Sequence, residues 1–132
     1  MGTGVSRYQD LACWQLSYEL HRRVVAFCAT EAVKREWKFC DQIRDASASA
    51  PRNIAEGFGR FRPSEFARFL EIARGSLVET HNHLRDAYDR KFLTDARFSE
   101  LTSLAERSIG ASTNLIRYLK SRAAESKPRA RT

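Results

Sequence analysis

The sequence is poor in what β-structure needs. It has three prolines and six glycines in 132 residues. No Asn-Gly pair marks a tight hairpin, and strict alternation of apolar and polar residues is rare, so strands are not expected. Long apolar runs are missing as well. No segment approaches the roughly 20 apolar residues that span a bilayer. The opening MGTGVSRYQD lacks the apolar stretch of a secretion leader. Cysteine is scarce: Cys13, Cys28 and Cys40 cannot all pair within one chain, and no CxxC occurs. The expectation is a reduced, cytoplasmic protein whose thiols serve as small hydrophobes, with no membrane partner.

Patterns that carry chemistry are missing too. There is no HExxH, GxGxxG or P-loop. His81 and His83 are two apart on a predicted helix and point in different directions. With His21, they read as scaffold or surface residues, not as metal ligands. Glu65 and Glu79 lie two heptads apart, too far to share one proton-transfer site. No Glu-x-x-His pair shows the spacing of carboxylate-bridged metal bundles. Ser47, Ser49 and Ser76 have no base at a diagnostic spacing. The chain reads as non-enzymatic, with no catalytic residues, cofactor or metal.

What is present is helical periodicity. With 42% hydrophobic and 30% charged residues, this length makes one ordinary globular domain. Asp10 is a plausible cap for a first helix running to about Thr30, with Leu11, Trp14, Tyr18, His21, Val25 and Cys28 as its seam and Leu20, Val24 and Phe27 widening it. Residues 30–35 form a connection or an early start of the next helix. In the second helix Ile43, Ala46, Ala50, Ile54 and Phe58 share a face, and Pro51 predicts a kink or break near Ser47–Ser49. Gly57 and Gly59 are expected to end it in the left-handed conformation. Arg62 before a proline is biased to extended backbone, and Pro63 suits a first helical position. The period resumes through Phe66, Phe69, Leu70, Ala73, Leu77, Leu84, Ala87 and Tyr88. Gly75 inside this helix predicts a close helix crossing. After a turn at Leu93, Thr94 or Asp95 caps a fourth helix bearing Phe98, Leu101, Ala105, Ser108, Ser112, Leu115 and Leu119. The fold expected is all-α: an antiparallel up-down-up-down four-helix bundle. Residues 1–9 are expected as a flexible lead-in, 10–120 as the bundle and 121–132 as a basic, disordered tail.

The run DQIRDASASAPRNIAEGFGR, followed by SEFARFLEIARGSLVE, resembles the four helix bundle protein family. These are also called the proteins of intervening sequences in bacterial large-subunit ribosomal RNA. The family includes the accessory variability determinant of diversity-generating retroelements. The resemblance extends more weakly from about Tyr8 to Leu119. It implies a four-helix bundle and a homo-oligomer, a pentamer in the retroelement protein. It also implies RNA or DNA, and a reverse transcriptase or other protein, as partners. Gln42, Asn53, Glu56, Gly57, Gly75, Ser76 and Glu79 belong to the shared motif. Arg62 departs from the pattern, standing where a serine or threonine cap is common.

The charge is +7 and unevenly placed. Lys120, Arg122, Lys127, Arg129 and Arg131 against Glu125 give the tail +4, leaving +3 for the rest. Arg44, Arg52, Arg60, Arg62, Arg68 and Arg74 give the helical hairpin a basic character, partly offset by Asp45, Glu56, Glu65 and Glu71. A planar guanidinium fork suits phosphate. The candidate nucleic-acid-binding residues are Arg44, Arg52, Arg60 and Arg62, with Lys120, Arg122, Lys127, Arg129 and Arg131. Glu56 and Glu79 are expected to cap, or to join Asn53, Gln42 or Ser76 in a buried polar network. Trp37, Phe58, Phe61 and Phe92 are candidates for an exposed patch used in self-association. The leading expectation is a nucleic-acid-binding accessory or scaffold protein. The alternative is a protein-interaction module without affinity for nucleic acid.

Overall fold

The computed structural model describes residues 4–126. A single 3-10 turn at Tyr8–Asp10 leads into four helices: α1 (Ala12–Cys28), α2 (Trp37–Phe58), α3 (Pro63–Asp89) and α4 (Asp95–Ser126). α1 packs on α2 and α4, and α3 packs on the same two, which closes a four-membered ring. Two apolar clusters fill it. One holds Leu20, Val24, Phe27, Phe39, Ile43, Leu84 and Leu101. The other holds Leu11, Ile54, Phe66, Leu70, Ile116 and Leu119. Each helix begins in the cluster where its predecessor ended, so the helices alternate in direction. Full burial of a leucine, isoleucine or phenylalanine stabilises by roughly 1.5–3 kcal/mol, so these clusters dominate the fold's stability.

Buried serines mark the joint between the clusters on α1 and α4: Ser17, Ser108 and Ser112 are fully covered. Ser17 Oγ donates to the Trp14 carbonyl at 3.0 Å, and Ser108 Oγ to the Cys13 carbonyl at 3.4 Å. On α2, buried Ser47 lies 2.9 Å from His21 Nδ1 and donates to the Arg44 carbonyl. His21 is thereby half-buried, and burial, then the charge of Arg52, holds its imidazole below the usual histidine range.

The bundle departs from the sequence expectation in several places. On α1 the buried face is Cys13, Ser17, Leu20, Val24, Phe27 and Cys28. Tyr18 and Val25, expected in the seam, are exposed. Trp14 is half-buried against the second cluster and stacks on Tyr18 with ring centres 4.7 Å apart. Asp10 does not cap α1; Leu11 holds that position, and the Asp10 carboxylate pairs with Arg7 at 3.1 Å. Pro51 sits inside a continuous α2 and is itself buried, so no break occurs near Ser47–Ser49. The helix forgoes the bond that residue 51 would have donated. α4 continues to Ser126, beyond the bundle end expected at residue 120. Thr94 does cap α4: its hydroxyl accepts from the Arg97 N–H at 3.2 Å.

The glycines differ most. Gly57 is not a turn residue but a buried member of α2. A Cβ there would lie 2.7 Å from Phe69 Cβ and 2.8 Å from Phe66 Cδ1, so Gly57 admits the start of α3 against the end of α2. Gly59 caps α2 in the right-handed region, at φ −73°. Gly75 is exposed, and a Cβ added to it would meet nothing within 4 Å, so no helix crosses there. The left-handed turn residue is Lys91, at φ 66°. It follows α3 in a Schellman closure, with Phe92 N–H on the Ala87 carbonyl at 2.8 Å and Lys91 N–H on the Tyr88 carbonyl at 3.0 Å.

Candidate nucleic-acid interface

One end of the bundle gathers the end of α2, the α2–α3 turn, the start of α3 and the end of α4. Gly59 N–H bonds to the Ala55 and Glu56 carbonyls, and Arg60 N–H to the Gly57 carbonyl. Arg62 then runs extended at φ −98°, ψ 128°, as its place before Pro63 requires. Its carbonyl accepts from the Glu65 and Phe66 amides and so starts α3. No side chain caps α3, in keeping with an arginine at that position, whose side chain has no oxygen to accept from the first-turn amides.

The basic side chains at this end differ in how firmly they are held. Arg60 pairs with Glu56 at 2.9 Å and lies 4.9 Å over the Phe69 ring. Arg68 lies 5.6 Å over the same ring. Lys120 pairs with Glu71 at 2.7 Å, tying α4 to α3, and that hydrogen bond holds the Glu71 carboxyl below its ordinary range. A groove of about 340 Å³ runs between Ser64, Ala67 and Arg68 of α3 and Lys120 and Ala124 of α4. Arg122 pairs loosely with Glu125 at 3.6 Å. Arg62 is exposed and forms no ion pair with a described residue. Between Arg60 and Arg62, the Phe61 side chain is 95% exposed.

Thus Arg60 and Arg68 meet over the Phe69 ring, and Arg68 and Lys120 line one groove, while Arg62 belongs to this end by its place in the turn and Arg122 by its place near the end of α4. Arg44 stands apart: it pairs with Asp41 at 2.7 Å and neighbours Cys28 and Cys40 in the other half of the bundle. Sixteen residues along α2 separate it from Arg60, about 24 Å at the helical rise. Arg52 is exposed near mid-helix, where its charge acts on His21. Lys127, Arg129 and Arg131 lie outside the described residues.

The expected network forms in part. Asn53 Nδ2 donates to the Ser49 carbonyl at 2.8 Å and to Ser49 Oγ at 3.0 Å. Ser76 Oγ meets Ser49 Oγ at 2.8 Å, which links α2 to α3. Glu56, Glu79 and Gln42 stay out of it. All three are exposed, because their positions on the helices face solvent; Glu56 reaches Arg60 and Glu79 reaches His83 at 3.5 Å. Of the four aromatics expected on a patch, Phe61 and Trp37 are exposed, while Phe58 and Phe92 pack on the core.

Among the described residues no group of three or more histidine, cysteine or acidic side chains could hold a metal ion. Among them, too, no helix is long and apolar enough to cross a membrane. Arg68 and Phe61 are the site residues that charge reading alone underweights. The signal for Phe61 is an aromatic set between two arginines just before Pro63.

No curated protein matches the chain. A solved structure does: a protein of unknown function from the S23 ribosomal protein family of Bacteroides thetaiotaomicron, with a TM-score of 0.63 over 85% of this chain and 98% of that one. At 21% identity it shows the shared fold. The family model for the 23S rRNA-intervening sequence protein matches residues 9–113, which takes in α1, α2, α3 and most of α4. With the four-helix ring and the α2–α3 motif in place, the chain belongs to the 23S rRNA-intervening sequence protein family.

Proposed function

We propose that this protein is a non-catalytic, oligomeric accessory protein that holds RNA or DNA by its phosphates at the α2–α3 end of the bundle. The observation that carries the reading is the placing of Arg60 and Arg68 over one ring and of Arg68 and Lys120 along one groove, with Arg62 in the adjoining turn and without an ion pair to a described residue. Phosphate contacts by such residues release counterions, so binding should weaken log-linearly with salt. In the sequence, Lys127, Arg129 and Arg131 come after α4, which ends at Ser126.

The experiment is a salt titration of binding to labelled structured RNA, single-stranded DNA and duplex DNA. The expected result is tight binding at low salt and a shallower slope once residues 127–132 are deleted. Failure of all three probes at low salt ends this reading.

A second reading is favoured by a different surface. Tyr18 and Val25 lie along the outer side of α1, each more than 40% exposed, and half-buried Trp14 stacks on Tyr18. Such a stripe suits contact with protein. It supports the oligomer, a pentamer by resemblance, or the docking of a partner such as a reverse transcriptase. Light scattering tests the assembly: a clean monomer at micromolar concentration removes it.

A further inference from the structure

The exposed ring at the tip of the α2–α3 turn has no structural use within the chain. Phe61 is 95% exposed, the most exposed large apolar side chain of the described residues. The other exposed apolar side chains, Tyr18, Val25, Trp37, Ile72, Val78 and Tyr118, belong to helices and not to this turn. A lone aromatic there costs hydration and gains no packing.

The backbone that presents it is fixed on both sides. Before it, Arg60 N–H bonds to the Gly57 carbonyl, and the Arg60 guanidinium is held by Glu56 and the Phe69 ring. After it, Arg62 is extended and its carbonyl is engaged by the first turn of α3. A ring displayed from anchored backbone loses little freedom on binding. In the sequence an arginine stands on either side of Phe61.

We propose that Phe61 is a stacking platform for an unpaired base, and that the turn therefore takes single-stranded or looped polynucleotide in preference to duplex. This rests on the reading of the α2–α3 end as a nucleic-acid interface and names the substrate class for it. The chemistry selects the occupant. A flat apolar ring whose chain neighbours are both arginines matches a base joined to phosphates on both sides. In a duplex the faces of the bases are covered by their neighbours, so only an unpaired nucleotide offers one. A bilayer surface would call for an apolar helical face, and the tip supplies one ring.

The test uses the full-length protein and three labelled probes: an oligouridylate, the matching deoxy strand and a blunt duplex. Phe61→Ala should leave the melting temperature unchanged, because the side chain touches so little. It should weaken both single strands by roughly five- to a hundred-fold, the range for losing one stacked base. Duplex affinity and the salt dependence should stay as they were, since no phosphate contact is removed. Phe61→Trp should restore the strands. Unchanged strand affinity in Phe61→Ala overturns this inference while leaving the phosphate reading intact, provided that Arg62→Ala still weakens binding. Equal loss on strand and duplex also overturns it. If the wild type ignores all three probes but floats with vesicles of phosphatidylcholine and phosphatidylglycerol, both readings fall.

Discussion

At the α3–α4 turn, Arg90, Lys91 and Phe92 close the chain against the core. At the α2–α3 turn, Arg60, Phe61 and Arg62 hold the same two kinds of side chain away from it. Arg90 pairs with Glu36 and Asp86 and lies 4.7 Å over the Phe92 ring and 5.7 Å over Phe39. Phe92 packs on the larger apolar cluster. The Arg90 and Phe92 side chains of that turn are thus both used internally. At the other turn Phe61 meets solvent and Arg62 has no ion pair with a described residue. Residue type does not separate a structural arginine from one available to an outside anion. The carboxylates and rings within reach do.

The two turns also use backbone differently, and substitutions can break that contrast. The largest effect belongs to Gly57. Gly57→Ala places a Cβ 2.7 Å from Phe69 Cβ, whose position is fixed by the backbone of α3. Overpacking of this kind costs about 1–3 kcal/mol, so the melting temperature should fall by several degrees. An unchanged value would mean that the α2–α3 approach is looser than the structure has it.

Both ends bury thiols. Burial pushes the Cys13 thiol to about 11 near the α2–α3 end and Cys28, beside Cys40, to about 12 near the other. Below pH 9 these thiols are protonated folded and unfolded, and their contribution to stability is fully present. As pH rises from 9 towards 11, the unfolded chain ionises and the folded one does not, so stability falls. The unfolding free energy from urea titrations should drop between pH 8 and pH 10.5, by on the order of 2 kcal/mol per thiol. Cys13→Ala should flatten part of that drop; an identical drop in the variant would show that Cys13 is not buried as described.

Lys91→Gly relieves a left-handed residue at no contact cost and should stabilise by about 1 kcal/mol, the reverse of Gly57→Ala. Destabilisation by this change would contradict the Schellman closure. The smallest thermal effects divide the arginines. Arg90→Ala should cost about 1 kcal/mol through its ion pairs and ring contacts. Arg62→Ala should stay within about 0.5 kcal/mol. Similar losses would erase the distinction between the two ends.

Much of this fold is legible in the chain. The faces of α2, α3 and α4, the Pro63 start and the Thr94 cap follow from spacing and local chemistry. The α1 face follows in part: Leu11, Leu20, Val24, Phe27 and Cys28 are buried as expected, but so are Cys13 and Ser17, while bulky Tyr18 and Val25 sit outside. Periodicity weighted by size then rotates the helix the wrong way. Gly57 and Lys91 exchange roles for a related reason. Glycine marks either a special backbone or a close approach, and only the packed neighbours Phe66 and Phe69 decide which. At the site, Arg60 and Arg62 are visible as neighbours in sequence. The meeting of Arg60 with Arg68 over Phe69, that of Arg68 with Lys120 along the groove, and the loss of Arg44 to Asp41 depend on packing in space.

The most direct measurement is the salt dependence of single-stranded RNA binding for wild type, Arg62→Ala and Arg90→Ala, compared at equal fractions folded. Arg62→Ala should bind more weakly, with a slope lower by about 0.7, one phosphate contact on a single strand, and Arg90→Ala should match the wild type. Equal slopes in all three proteins, or an equal loss in both variants, would contradict an anion-binding role for the α2–α3 end.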